Sequence, residues 1–233
     1  MNLLAIETST EACSVAVVHG ELLVERFEIA PRRHAELALP WTEAVLAEAG
    51  IDRHALQAIA VGRGPGAFTG VRLGISLAQG MALALDLPVV PVSTLAALAL
   101  RAGAGEGARV IAAIDARMGE VYWCTYRIED GEPRALGDER VDPPAAVAIE
   151  GDGWHAVGTG FDAQAGVLRE ALAGRLATID AAALPHAADV ARLGVRAHAR
   201  GEALPPEQVE PAYLRNQVAL TLAEQAARRA ARG

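Results

Sequence analysis

Two stretches of the chain repeat one pattern: an apolar strand ends on an acidic residue and leads through a short turn into an alternating strand. The first stretch ends at Glu7 and the second at Asp115. In the matched triplets Ala5-Ile6-Glu7 and Ala113-Ile114-Asp115, the offset is about 108 residues (113 − 5). Self-similarity at a fixed offset indicates a duplicated structural unit. The pattern therefore predicts a chain built from two related halves.

The order of elements around each repeat predicts the fold class. The first half reads as βββαβαβ, with alternating strands, a helix over residues 34–49 that ends at Gly50, and a long helix over 69–85. A second cycle begins near Arg109, after a glycine-rich stretch at 101–109. We predict an α/β protein with a duplicated actin-like (ASKHA, RNase H-like) fold and two βββαβα-type subdomains. Residues 1–104, completed by a C-terminal helix over 216–233, form the first subdomain, and residues 105–215 form the second.

Composition excludes several classes of protein. The formal net charge is −8, and all 21 basic residues are arginine. A P-loop lysine and a Schiff-base lysine are therefore impossible, and an acidic chain is a poor lone binder of nucleic acid. No apolar run reaches the ~20 residues that span a bilayer, and the N-terminus lacks the basic region of a signal peptide. We expect a cytoplasmic protein with no membrane partner, in which Cys13 and Cys124 are buried thiols.

Catalytic and metal-binding signatures are missing from the sequence. No two of the six histidines stand three or four residues apart, as paired ligands on a helix would. There is no Gly-x-Ser-x-Gly nucleophile elbow, and Ser76, which comes closest, is predicted to lie within a helix. We predict no catalytic residue, no metal site and no intrinsic cofactor.

The acid-bearing turns depart from a phosphate-binding pattern. Actin-like ATPases use Asp-x-Gly-Thr/Ser there, because glycine lets backbone amides approach the phosphate and the aspartate organises a metal ion. Here the first turn reads Glu7, Thr8, Ser9 and Thr10, and the turn after Asp115 also lacks the pattern. We predict a hairpin kept for structural reasons, at which these four residues make at most a weak, degenerate nucleotide contact.

The stretch VGRGPGAFTGVRLG and the helix that follows it contain a ridge of small residues. Gly66, Gly70, Gly74, Ala78 and Ala82 recur every four residues, beside an apolar ridge of leucines and methionine. Glycines inside a helix each cost about 1 kcal/mol relative to alanine, so a packing reason is expected. The bare ridge packs either within the chain or against a second protein, and we favour the second protein.

Several motifs together carry a resemblance that spans nearly the whole chain. GRGPGAFTGVRLG, AQGMAL, PVSTLAALA, IDARMGEVYW, VGTG and PAYLRN resemble the bacterial TsaB (YeaZ) family of the tRNA threonylcarbamoyladenosine modification system. The resemblance implies a non-catalytic scaffold that activates the transferase TsaD by pairing with it, and that the ATPase TsaE joins. It also implies a homodimer when the chain is alone, contact with tRNA only through the complex, and ATP or ADP, if any, at the TsaD interface. Glu7 departs from the family, which usually has aspartate at this position.

The resemblance also implies where the partner binds. The surface shared by TsaD and by the homodimer involves the helices predicted at 34–49 and 69–85. The candidate interface residues are His34, Leu37, Trp41, Phe68, Thr69, Gly70, Arg72, Leu73, Gly74, Leu77, Ala78 and Met81. The alternative function is a glycoprotease-like hydrolase or a weak ATPase. Arg228, Arg229 and Arg232 near the C-terminus either pair with a helix dipole or contact RNA.

Overall fold

A computed structural model describes residues 1–215 of the chain. The predicted C-terminal helix over 216–233, with its three arginines, lies outside the described residues. The first half is a five-stranded sheet with the order β3-β2-β1-β4-β5. Its strands are β1 (Asn2–Glu7), β2 (Ala12–His19), β3 (Leu22–Ile29), β4 (Ala58–Gly62) and β5 (Val89–Val92). β2 runs antiparallel to its neighbours β1 and β3, and β4 and β5 run parallel to β1.

The second half repeats this arrangement. Its sheet has the order β11-β10-β6-β7-β8, with β9 paired to β7. Its strands are β6 (Arg109–Arg117), β7 (Glu120–Glu129), β8 (Glu132–Ala135), β9 (Arg140–Asp142), β10 (Trp154–Val157) and β11 (Leu176–Asp180). The strand β6 takes the place of β1, with an antiparallel neighbour on one side and a parallel one on the other. The predicted duplicated actin-like α/β fold is thereby confirmed.

Helices cover the two sheets. They are α1 (His34–Ala49), α2 (Phe68–Leu85), α3 (Thr94–Leu100), α4 (Val167–Leu172) and α5 (Ala187–Ala199). The sequence pattern predicts both ends of α1, and it predicts α2 to within one residue. Where the second half would carry a counterpart of α1, between β8 and β10, it has only β9 and a short 3-10 turn at Pro144–Ala146.

Two helices cross between the halves. Helix α3 follows the first sheet in the chain, but its Leu95 and Leu98 pack against the second sheet. Helix α5 follows the second sheet, but its Val190 and Ala191 pack against Leu3 and neighbouring residues of the first sheet. The predicted ranges 1–104 and 105–215 follow chain order and stay a prediction. In packing, each half is completed by a helix from the other range.

Helix α2 is apolar on most of its surface. With 18 residues and a mean hydropathy of 1.3, it is long and apolar enough to cross a membrane, which the sequence reading had not expected of any segment. The core helices of globular proteins meet the same criterion, and six residues of α2 are buried within the chain. The buried residues are Gly70, Val71, Gly74, Ile75, Ala78 and Ala82. Length and composition therefore do not by themselves place α2 in a membrane.

Candidate functional site: the cleft between the halves and the face beside it

A cleft of about 1050 Å³ opens between the two halves. It is lined by the β1–β2 turn, the N-terminal ends of α1 and α2, the β6–β7 turn and residues 211–215. Both acid-bearing turns predicted from the sequence therefore meet at one cleft, as the duplicated fold requires. What the cleft can do depends on which side chains of these turns reach it.

Glu7, at the end of β1, is buried, with 1% of its surface exposed. Its Oε1 accepts a hydrogen bond from the Ser9 amide at 2.6 Å, and its Oε2 lies 3.1 Å from the Thr94 hydroxyl. Burial raises the pKa of this carboxyl above its ordinary value, although these hydrogen bonds oppose the shift. A side chain at Gly62 would overlap the carboxyl, so glycine on β4 leaves the room that the longer glutamate needs.

The other turn residues also face inward. Thr8, Ser9 and Thr10 are 1%, 0% and 6% exposed. The Thr8 hydroxyl donates to the Gly70 carbonyl at 2.8 Å, the Ser9 carbonyl accepts from the Ala67 amide at 2.7 Å, and the Thr10 hydroxyl accepts from the Ala12 amide at 3.3 Å. The Thr8 and Thr10 hydroxyls and the Ser9 backbone hold the turn to α2 and to β2. Ser9 and Thr10 also line the cleft, and the weak nucleotide contact predicted for residues 7–10 stays a prediction.

The second acid-bearing turn is more exposed but is also closed on itself. Asp115 accepts from the Arg117 amide at 2.8 Å through Oδ1 and from its guanidinium at 3.0 Å through Oδ2. Arg117, Met118 and Gly119 have φ values of 60°, 56° and 88°, so this turn is left-handed at three successive residues. The acid thus caps its own tight turn.

The small-residue ridge of α2 is the clearest correction to the sequence reading. A Cβ atom at Gly66 or Gly70 would overlap the backbone of Ser9 or Thr8, and one at Gly74 would lie 2.6 Å from the Thr8 hydroxyl oxygen. Ala78 is fully buried in the core of the first half. The prediction that the ridge is kept bare for a second protein is wrong, because the chain's own β1–β2 turn covers its glycines and the core of the first half covers Ala78 and Ala82. Gly70, Gly74 and Ala78 are therefore withdrawn as interface residues.

His34 also has a role within the chain. Its Nε2 lies 3.0 Å from the Thr10 carbonyl and 3.1 Å from the Ala12 carbonyl. Since carbonyl oxygens only accept, Nε2 is the protonated nitrogen and donates to the β1–β2 turn. His34 therefore fastens the start of α1 to that turn, and it is half-buried there.

The remaining predicted interface residues form a face along α1 and α2, which we call the α1/α2 face. Phe68 and Thr69 are exposed, and the other members are half-buried. The half-buried members are Leu37, Trp41, Arg72, Leu73, Leu77 and Met81. Exposed Leu39 on α1 and Leu83 on α2 belong to the same two helices, and the sequence reading missed them. Leu83 stands about three helical turns after Arg72, so helical spacing was an available signal for it. Leu39 is two positions from both Leu37 and Trp41 and therefore lies on another side of α1. The structure thus brings together exposed and half-buried apolar side chains from both helices.

Arg72 is held in place by aromatic rings. Its guanidinium carbon lies 3.3 Å from the centre of the Phe68 ring and 4.9 Å from that of Tyr213, and one of its nitrogens donates to the Tyr213 hydroxyl at 2.6 Å. Contacts of this kind between a guanidinium and an aromatic face are attractive. Tyr213 comes from the connector after α5, which the sequence reading did not link to α2.

Neither a metal site nor a reactive thiol is found among residues 1–215. No group of three or more His, Cys, Asp or Glu side chains could hold a metal ion in this range. Cys13 and Cys124 are buried, and burial, together with nearby carboxylates, raises their pKa values to about 12 and about 11. Both thiols are therefore protonated at neutral pH, as expected for inert structural cysteines.

Comparison with known proteins adds the family context. A sequence profile described as TsaD, tRNA N6-adenosine threonylcarbamoyltransferase, matches residues 27–222. The chain is 42% identical over 226 residues to the tRNA threonylcarbamoyladenosine biosynthesis protein TsaB of Escherichia coli (strain K12), covering 94% of this chain and 96% of that protein. It is 37% identical over 229 residues to the protein of the same name from Haemophilus influenzae.

Solved structures agree with this relationship. A crystal structure from Pseudomonas aeruginosa, described as an uncharacterized protein with similarity to peptidase YEAZ, superposes with a TM-score of 0.85 at 49% identity. It covers 92% of this chain and 99% of its own. A second structure, YeaZ from the same organism, gives a TM-score of 0.82 at 48% identity and covers 91% of this chain and 99% of its own. Over the compared length, the fold of this chain is thus one found in solved proteins.

Proposed function

Because the chain belongs to the TsaB (YeaZ) family, within the wider TsaD family, we propose that it takes part in tRNA threonylcarbamoyladenosine biosynthesis. Its role there is that of a non-catalytic scaffold and activator, which pairs with the transferase TsaD and works with the ATPase TsaE. The observation that carries the non-catalytic role is the state of the two acid-bearing turns. Glu7 is buried between Gly62 of β4 and Thr94 of α3, and Asp115 is bonded to Arg117. Neither acid is free to organise a metal ion and a phosphate.

The proposed partner site is the α1/α2 face. An exposed aromatic ring at Phe68, an arginine at Arg72 and half-buried Trp41 and Met81 are of the residue types enriched at protein–protein interfaces. The partner is a TsaD-type protein, and a second copy of this chain occupies the same face when TsaD is absent. Contact with tRNA comes through the complex, since a chain of net charge −8 attracts phosphates weakly. ATP or ADP, if required, lies at the joint interface, and the complex is cytoplasmic.

Reconstitution tests this proposal. The chain is co-purified with its cognate TsaD, and tRNA modification is measured with TsaD, TsaE and the threonylcarbamoyl-adenylate donor, in the presence and in the absence of the chain. We expect a stable pair and modification that depends on the chain. Full modification without it would overturn the scaffold role. Hydrolysis of ATP or of a glycoprotein by the chain alone would favour the enzyme alternative.

A further inference from the structure

The connector after α5 forms a strap, residues 204–215, that begins on the first half. Leu204 exchanges two backbone hydrogen bonds with Val89 of β5, at 2.8 and 2.9 Å. The Gln79 amide of α2 donates to the carbonyls of Pro206 and Val209, at 2.8 and 3.2 Å. Val209 itself is 3% exposed and belongs to the core that α2 shares with the first sheet. The strap is therefore fixed along the body of α2.

Further along, the strap reaches the cleft and the head of α2. The Ala212 amide donates to the Arg63 carbonyl at 2.9 Å. The next residue is Tyr213, whose hydroxyl accepts from Arg72. Residues 211–215 all line the cleft. The strap thus joins the partner-facing end of α2 to the opening between the halves.

The last described residue of the strap binds the second half. The Arg215 guanidinium donates to the carbonyls of Ala116 and Arg117, at 3.2 and 3.4 Å, and to the Glu120 carboxylate. These acceptors surround the β6–β7 turn, in which Arg117 and Met118 have positive φ. A left-handed conformation is unfavourable for non-glycine residues and persists where its surroundings hold it. Arg215 supplies such support from outside the hairpin.

Other contacts between the halves lie away from the cleft. Glu132 of β8 is paired with Arg196 and Arg200 of α5, and Arg101 after α3 is paired with Asp189 of α5. None of these residues lines the cleft. Away from the cleft, Arg63 after β4 and Ser93 also bond the Glu139 carboxylate, which follows β8. The halves are therefore joined along α3, α5 and β8, by these contacts of Glu139 and, at the cleft, by the strap. A connection beside the opening and others away from it are the arrangement of a hinge with a latch.

We propose that the strap is a conformational latch: it holds the β6–β7 turn at one opening of the cleft and couples that opening to the α1/α2 face. Arg72 and Arg215 are its two fastenings, one on each half. The meaning of the coupling for partner binding rests on the function proposed above. A partner that rearranges Phe68 and Arg72 would displace Tyr213 and thereby change the hydrogen bonds that Arg215 makes to the β6–β7 turn. Conversely, opening or closing of the cleft would change the conformation of the α1/α2 face that the partner contacts.

Hydrogen exchange on the isolated full-length chain tests the latch without any partner. Tyr213→Phe removes one hydroxyl and keeps the ring, and Arg215→Ala removes the grip on the second half. Since hydrogen bonds to charged groups are the stronger kind, we expect Arg215→Ala to speed exchange at residues 115–121 roughly tenfold or more. Tyr213→Phe should speed exchange at the same turn, although Tyr213 makes its hydrogen bond to the first half. Arg215→Ala should in turn speed exchange at the head of α2.

The control is Arg53→Ala, which removes an exposed arginine from the 3-10 turn Arg53–Ala55 of the first half, outside the cleft and off both α2 and β7, and should leave both regions unchanged. Arg215→Lys, which keeps the charge but loses the planar fork, serves if the alanine variant is poorly folded. The coupling would be overturned if Arg215→Ala sped exchange only at residues 115–121 and Tyr213→Phe sped it only at the head of α2. No effect at residues 115–121 in either Arg215 variant would overturn the latch.

A second arm uses the cognate TsaD. Arg215 lies off the α1/α2 face, so a latch predicts that Arg215→Ala changes the dissociation constant at least about fivefold. An unchanged constant in a variant with faster exchange would overturn the coupling to the partner. If the wild-type chain binds no TsaD, the proposed function fails, and the exchange experiment alone still decides whether the latch exists.

Discussion

The hydroxyl oxygen of Thr8 lies 2.6 Å from the point that a Cβ atom on Gly74 would occupy, and the same hydroxyl donates to the carbonyl of Gly70. Helix α2 therefore packs on the β1–β2 turn at backbone distance. This contact covers the glycines of the small-residue ridge and closes the turn that would otherwise face a phosphate. The contact joins the two features for which the sequence suggested a function, the small-residue ridge and the turn at residues 7–10. It gives both of them a structural role.

The first prediction concerns this close packing. Gly70→Ala places a carbon against the Thr8 backbone, so we expect a loss of about 1–3 kcal/mol in the free energy of unfolding. Gly80→Ala is the matched control, because Gly80 is exposed on the same helix with nothing within 4 Å of its Cβ position. It should stabilise the chain by about 0.5–1 kcal/mol. Urea unfolding measures both, and equal stabilities of the two variants would contradict the packing.

The second prediction concerns the buried carboxyl of Glu7. Its folded-state pKa is raised above the ordinary value of 4.5, so the folded chain holds this proton more tightly than the unfolded chain. The stability it confers is therefore fully present below pH 4.5 and is lost as the pH rises through the raised pKa. Glu7→Gln resembles the protonated form: its oxygen can accept from the Ser9 amide, and its nitrogen can donate to the Thr94 hydroxyl.

We expect the free energy of unfolding of Glu7→Gln, relative to wild type, to be constant below pH 4.5 and to increase above it. The slope is at most about 1.4 kcal/mol per pH unit. Urea titrations from pH 4 to pH 9 measure it, with the exposed α1 substitution Glu43→Gln as a control. A difference that does not change with pH would show that burial does not shift this carboxyl.

The third prediction tests the proposed partner face with a substitution that spares the core. Ser76 is exposed on α2 beside half-buried Leu77, and arginine is a better helix former than serine. Ser76→Arg should therefore keep the fold and reduce TsaD binding at least tenfold, because a long charged side chain blocks close docking. Ala171→Arg, at an exposed position of α4 in the second half, adds the same charge elsewhere, and this variant should bind normally. Calorimetric titration measures both, and normal binding by Ser76→Arg would place the partner on another surface.

Gly74→Leu, the obvious substitution from the sequence alone, cannot make this distinction. Its side chain would collide with Thr8 inside the chain, so a loss of pairing would report a damaged turn rather than a blocked surface.

The fourth prediction concerns thiol reactivity. With pKa values raised from 9.0 to about 12 and about 11, Cys13 and Cys124 carry roughly a thousandfold and a hundredfold less thiolate at pH 8 than unshifted thiols would. Alkylation by iodoacetamide should be slow in the folded chain, should speed up as the pH rises, and should be rapid at both cysteines in guanidinium. Fast labelling of the folded chain at pH 8 would contradict the burial of the thiols.

Much of the fold could be predicted from local patterns. Strand alternation, the helix end at Gly50 and the repeat that relates Glu7 to Asp115 are properties of neighbouring residues, and they indicated the elements, their order and the duplication. The family motifs were likewise read directly from the chain. The absence of a P-loop lysine and of a Gly-x-Ser-x-Gly elbow needed only the residue list.

The candidate site was predicted less well, because its contacts join distant parts of the chain. Periodicity established that α2 has a bare ridge, but it did not identify what packs there. Thr8 and Gly70 are 62 positions apart in sequence, and only the folded sheet brings them together. The same holds for Arg72 and Tyr213, which are 141 positions apart. Leu83 could have been found by helical spacing, but Tyr213 gave no local signal.

The sequence by itself determined the strands and helices, the duplicated architecture and the family, since these depend on side-chain periodicity, turn residues and short motifs. Only the tertiary structure decided that α2 closes over the β1–β2 turn, that α3 and α5 each complete the opposite sheet, and that Arg72 and Arg215 fasten the strap. The physical reason is that steric exclusion and hydrogen bonding act over a few ångströms in space. A pattern along the chain shows which surfaces must be covered, and the fold determines what covers them.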